Sequence, residues 1–203
     1  MKVKICGMQT YEDAKHAIDA GADFVGFIFY KNSTRAVDVS TAKDIIKKIK
    51  GQVSIVGVFK NSSLDEVNSL CEELNFDLVQ LHGQESQEFC NNVNLPVVKT
   101  FGLLANFSIN NTVRQMKQYD VKYYLIDREN PGEGELLPLD RSTEIAKNFP
   151  IFFAGGLTPE NVGEAVSIVR PFAVDVITGV KTDGKFDFEK MKQFVINAKG
   201  VKV

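Results

Sequence analysis

The feature that most constrains this chain is a repeated alternation. Eight short runs rich in Val, Ile and Phe recur along 203 residues, and each is followed by a longer amphipathic or mixed stretch. The runs fall at Val3–Cys6, Phe24–Phe29, Val53–Phe59, Leu78–Leu81, Val97–Phe101, Tyr123–Asp127, Ile151–Ala154 and Ala173–Ile177. They are nearly continuous in hydrophobicity rather than alternating. That is the pattern of strands covered on both faces, as in a parallel sheet wrapped by helices. Helical periodicity fills the intervals, among them Asp13–Ala20, Thr41–Lys50, Leu64–Leu74, Ile109–Gln118 and Glu160–Val169, and a last amphipathic segment covers Phe188–Ala198.

Local start and stop signals support the division. Ser40 precedes Thr41, Ser63 stands three residues before Glu66, and Thr158-Pro159-Glu160 places proline at a first helical position. Gly21 and Gly51 fall where helices should stop. No Pro/Ser-rich linker, charge block or low-complexity tract divides the chain. Eight β–α units in one uninterrupted domain, residues 1–203, predict an α/β fold of the (β/α)8 TIM-barrel class. The rival, a doubly wound open sheet, lacks support because no Gly-x-Gly-x-x-Gly follows the first strand.

Composition then excludes classes of function. There are 24 basic and 26 acidic residues, a net charge of −2, so no global field favours nucleic acid or an anionic membrane surface. An anionic ligand must be held by local groups. The three cysteines, Cys6, Cys71 and Cys90, are odd in number and lack Cys-x-x-Cys spacing, which argues against a disulfide framework or a zinc site and for a reducing, cytoplasmic setting. Met1–Ile5 alternates charge with hydrophobe, unlike a signal peptide, and no apolar run approaches the ~20 residues of a membrane span. No exposed apolar stripe is evident, so a monomer is favoured over a homodimer.

In a TIM barrel the active site lies at the C-terminal ends of the strands. Reading each strand to its end gives Cys6 after the first, Arg35 in the loop after the second and His82 after the fourth. Asp127 ends the sixth, Gly155-Gly156 follow the seventh, and Asp175 with Thr178-Gly179 closes the eighth. Glycines after strands seven and eight let backbone amides approach a phosphate, with Thr178 adding a hydroxyl; they also suit tight turns. Cys6 fits either core packing or a thiolate at the mouth. Asp127 either caps a loop or carries a raised pKa suited to acid catalysis. Asp175, inside Ala173–Ile177, needs either a buried partner or a catalytic task. Arg35 can grip a planar carboxylate or lie on the surface. His82, on one strand face with Gln80, is a binding candidate or a satisfied mouth histidine.

Taken together, these residues resemble the phosphoribosylanthranilate isomerase family of tryptophan biosynthesis, almost end to end. The likeness is carried by Lys4-Ile5-Cys6-Gly7, Gly26-Phe27-Ile28-Phe29 with Arg35, Val79-Gln80-Leu81-His82-Gly83 and Leu125-Ile126-Asp127. It continues through Ala154-Gly155-Gly156-Leu157-Thr158-Pro159-Glu160-Asn161-Val162 and Val174-Asp175-Val176 to Gly179-Val180 and Asp183-Gly184-Lys185. The resemblance implies an Amadori rearrangement of a phosphorylated aminosugar, N-(5-phosphoribosyl)anthranilate, with no cofactor and no metal. Asp127 would be the general acid and Cys6 the general base; Arg35 would hold the anthranilate carboxylate, the Gly156 and Gly179 amides the phosphate, and Asp175 would support the site.

The chain departs from the family pattern in three places. The usual Gly-Gly-Ser/Thr-Gly-Lys loop after the acid reads Arg128-Glu129-Asn130-Pro131-Gly132-Glu133-Gly134-Glu135, without the lysine and with three glutamates that weaken binding of a dianion unless they point outward. Ser-Ser-Gly becomes Ile177-Thr178-Gly179, and Ser-Pro-Arg becomes Ser33-Thr34-Arg35. Two rivals stand beside this expectation. The histidine-pathway isomerase favours paired aspartates and two phosphate sites, where this chain has Cys6 and one phosphate region. A binding-only paralogue would keep the phosphosugar pocket without turnover.

Overall fold

The computed structural model of the chain describes residues 1–30, 32–129 and 136–201. Of the three glutamates on which the expectation of weakened binding rests, Glu133 and Glu135 lie outside the described residues, and Glu129 lines the cavity at the strand ends. Eight parallel strands close on themselves in chain order: β1 (Lys2–Cys6), β2 (Phe24–Ile28), β3 (Ser54–Phe59), β4 (Leu78–Leu81), β5 (Val97–Leu103), β6 (Tyr123–Arg128), β7 (Ile151–Phe153) and β8 (Ala173–Val176). β8 pairs back onto β1, with Lys2 opposite Ala173 and Lys4 opposite Asp175. The expected TIM barrel is the observed architecture.

Among the described residues, eight α-helices surround it: α1 (Tyr11–Asp19), α2 (Val39–Ile49), α3 (Leu64–Leu74), α4 (Gln87–Asn91), α5 (Ile109–Met116), α6 (Leu139–Ala146), α7 (Val162–Val169) and α8 (Phe188–Lys199). Two start signals fall elsewhere than the sequence suggests. α2 is capped by Asp38, whose carboxylate accepts from the Thr41 amide at 2.9 Å and the Thr41 hydroxyl at 2.7 Å. A carboxylate is the stronger acceptor at a helix N-terminus, so Ser40 is drawn inside the helix. α7 begins at Val162 rather than at Pro159. The Asn161 side chain accepts from the Thr158 amide at 2.8 Å and donates to the Gly156 carbonyl at 2.9 Å, which spends residues 158–161 on a turn. Ser63 caps α3 as expected, accepting from the Glu66 amide.

The period of two along each strand sorts the side chains into two cores. Val3, Ile5, Val25, Phe27, Val79, Leu81, Ile126 and Phe153 pack outward against the helices. Cys6, Phe24, Ile28, Val56, Val58, Leu78, Val98, Leu125, Phe152 and Ala173 fill the barrel. Burial on both faces explains why the strands read as continuous hydrophobic runs. It also isolates the inward polar residues Lys4, Gln80, Thr100 and Asp175, all buried, in an otherwise apolar interior. Each needs a partner or a ligand.

Candidate active site

A cavity of about 810 Å³ opens at the C-terminal ends of the strands. All nine residues singled out from the sequence border it: Cys6, Arg35, His82, Asp127, Gly155, Gly156, Asp175, Thr178 and Gly179. Inward positions at the ends of β1, β4, β6 and β8 converge there because parallel strands all present their C-terminal ends to one face.

Cys6 is buried at the floor on β1, opposite Gly26 of β2. A Cβ at position 26 would lie 2.5 Å from the Cys6 sulfur, so this glycine makes the slot that the thiol occupies. Burial pushes the thiol pKa up, against the pull of the Lys4 ammonium beside it. Asp127 reaches the cavity from β6, and its Oδ1 accepts from the Arg128 amide at 2.7 Å. Burial raises its carboxyl to about 6, reinforced by Asp175 and opposed by Lys4 and Arg35. Gly155, with φ +86°, lets the loop after β7 close on this carboxyl; a Cβ there would stand 2.9 Å from Asp127 Oδ1.

The loops after β7 and β8 form a cradle. A Cβ at Gly179 would fall 1.9 Å from the Leu157 carbonyl oxygen, so only glycine permits the approach. Among the described residues, nothing accepts from the Gly156 or Gly179 amides. Two such free donors beside the Thr178 hydroxyl, at the mouth of a cavity also lined by Arg35 and Lys60, suit an anion.

His82 is held neutral, its pKa lowered to about 4 by burial and then by Lys4, Lys60 and Lys99. Its Nδ1 pairs with the Gln80 amide nitrogen at 3.1 Å, and Gln80 Oε1 has no partner among the described residues. That buried acceptor borders the cavity and is available to a ligand N–H or O–H. Beneath His82, Glu85 accepts from the amides of Asn61 (2.8 Å) and Gly83 (3.0 Å) and from Lys99 (2.9 Å), which pins the loops after β3 and β4 together.

Asp175 finds its partner in Lys4, whose ammonium donates to both carboxylate oxygens at 2.9 Å. Sequence reasoning missed Lys4 as well as Lys60, which follows β3 directly and lines the cavity. A lysine at an inward position of an apolar strand was the available signal for the first. Position at a strand end was the signal for the second. Among the described residues there is no His/Cys/Asp/Glu cluster fit to hold a metal ion, and no helix is long and apolar enough to cross a membrane.

A profile of the N-(5′-phosphoribosyl)anthranilate (PRA) isomerase family matches residues 3–197. An N-(5′-phosphoribosyl)anthranilate isomerase from Geotalea daltonii is 44% identical over 204 residues, covering 98% of this chain and 96% of that protein. The crystal structure of phosphoribosyl anthranilate isomerase from Thermotoga maritima superposes with a TM-score of 0.90 at 34% identity, covering 99% of this chain and 100% of that one. A second solved structure, a phosphoribosyl anthranilate isomerase in complex with reduced 1-(o-carboxyphenylamino)-1-deoxyribulose 5-phosphate, gives a TM-score of 0.86 at 33% identity, with coverage of 99% and 100%.

Proposed function

The chain belongs to the N-(5′-phosphoribosyl)anthranilate isomerase family, and from that premise we propose that residues 1–203 act as one isomerase domain in tryptophan biosynthesis, with Asp127 as general acid and Cys6 as general base. The observation that carries the assignment is the Asp127 carboxyl, raised to about 6 on the cavity it shares with Cys6. A carboxyl that keeps its proton near neutrality can give it up in the transition state.

The steps follow from those positions. The substrate phosphate sits on the Gly156 and Gly179 amides and the Thr178 hydroxyl, and the anthranilate carboxylate takes the two-pronged guanidinium of Arg35. Asp127 protonates the ribose ring oxygen; the C1–O bond breaks and the anilino nitrogen lone pair forms the C1=N iminium. The Cys6 thiolate removes the C2 proton, and the C2–H electron pair becomes the C1=C2 bond of an enolamine. Loss of the C2 hydroxyl proton and protonation at C1 give the aminoketose. Two protons enter and two leave, so the rearrangement needs no cofactor.

The test is the loss of phosphoribosylanthranilate fluorescence with purified protein. First-order decay above background is expected. Tight binding without turnover would instead identify a binding-only protein. Arg35→Ala should raise KM at least about tenfold with kcat within about threefold, because carboxylate binding is shared by ground and transition states. A fall mainly in kcat would remove the carboxylate role.

We also place the protein in a reducing cytoplasm as a monomer. The three cysteines are free and buried, and the exposed large hydrophobics Tyr11, Leu104, Ile168 and Ile196 belong to four different segments. Sedimentation equilibrium showing a two-chain mass would overturn the monomer.

A further inference from the structure

Lys4 is fully buried, 1% exposed, and none of the steps above uses it. A buried ammonium is costly, and the Asp175 carboxylate across the β1–β8 register compensates it. That pairing accounts for Lys4 as ballast for Asp175. It does not account for where Lys4 stands. It is two residues before Cys6 on one strand, so both side chains point into the barrel. Asp175 and Cys6 border the cavity and Lys4 does not, which puts the ammonium beneath the floor, out of reach of a substrate. An ammonium has three N–H groups. Two are taken by the Asp175 oxygens, and the third is free for the Cys6 sulfur, which lies two residues along the same strand face in the slot that Gly26 leaves.

We propose that Lys4 is a positioning residue for the proton abstraction: anchored on Asp175, its ammonium orients the Cys6 sulfur from below and stabilises the thiolate that removes the C2 proton. This rests on the reading of Cys6 as the base. Without Lys4, a thiolate would form next to a lone buried carboxylate, two like charges where little solvent screens them. The other charged or titratable groups around the sulfur are Asp127 across the cavity on β6, Arg35 and Lys60 at its rim, and the neutral His82 of the loop after β4. Of these cations, Lys4 is the one whose charge pulls the Cys6 thiol down against the effect of burial.

The experiment measures carbamidomethylation of Cys6 by iodoacetamide against pH in the free enzyme, following the Cys6 peptide by mass, with Cys71 and Cys90 as internal references. Lys4→Gln should slow Cys6 alkylation at pH 8 at least about tenfold, one pKa unit, and lower kcat comparably with KM within about threefold. Asp175→Asn leaves the ammonium unopposed and should speed Cys6 alkylation. A purely structural pair would move both variants in one direction. Unchanged alkylation in Lys4→Gln, or the same sign in both variants, overturns the proposal. Should Lys4→Gln fail to fold, Asp175→Asn decides alone: equal or slower alkylation overturns it. Cys6→Ser separates the two layers. If it keeps turnover, the base assignment falls; if it is inactive while Lys4→Gln leaves Cys6 reactivity unchanged, only the role of Lys4 falls.

Discussion

Asp127→Asn is expected to lower kcat by at least about 10²-fold and to make the protein more stable at pH 8. Both effects have one cause. Burial raises the carboxyl from 3.8 to about 6, so the folded protein holds this proton more tightly than the unfolded chain. A group raised in this way contributes stability below its unfolded value, and the contribution is lost as pH rises through about 6. At pH 8 the ionised carboxylate is therefore a burden of up to about 3 kcal/mol, reduced by its contact with the open cavity. Asparagine keeps the shape without the charge. Thermal melts at pH 4 and pH 8 should show the variant's advantage at pH 8 only. An equal shift at both values, or none, would mean that the carboxylate is already well solvated. The same titration sets one limb of the wild-type profile of kcat/KM. The thiol titrates above Asp127, so the reactive form pairs a protonated acid with a deprotonated base, a minority species whose population rises with pH up to about 6 and then levels. An acid limb near 6 is expected, and it should be missing from residual activity of Asp127→Asn.

Cys6→Ser should also lose at least about 10²-fold in kcat, with folding nearly intact. The hydroxyl fills the slot beside Gly26, but its proton is held far too tightly for serine to serve as the base. Near-neutral kinetics would show that the thiol is packing in the barrel interior, where it lies among Phe24, Ile28 and Leu125, and another base would have to be sought. KM should stay close to wild type, since the substitution leaves the groups proposed to bind the substrate, Arg35, Thr178 and the Gly156 and Gly179 amides, in place.

Much of the site was legible because a TIM barrel converts position in the strand into position in space. Reading each apolar run to its end placed nine residues around one cavity before any contact was known. Helix starts were less legible. Ser40 and Pro159 carry plausible signals, but Asp38 and the Asn161 side-chain bridge compete for the same backbone groups and win through stronger hydrogen bonding. Asp175 could be recognised as needing a partner, yet the choice between a partner and a catalytic task stayed open because its partner lies 171 residues away in the chain.

The sequence by itself determined what is local and periodic: eight strands of the two-sided kind, the helices between them, and polar residues at the strand ends that resemble one isomerase family. These follow from side-chain period and turn chemistry within a few residues. Only the tertiary structure decided what depends on closure of the barrel. β8 pairing with β1 brings Lys4 to Asp175, the β1–β2 register sets the Cys6 sulfur into the gap left by Gly26, and removal from water raises Asp127 to about 6. Those are the properties on which the proposed roles of acid and base rest, because proton affinity in a protein is set by neighbours and solvent rather than by the residue type alone.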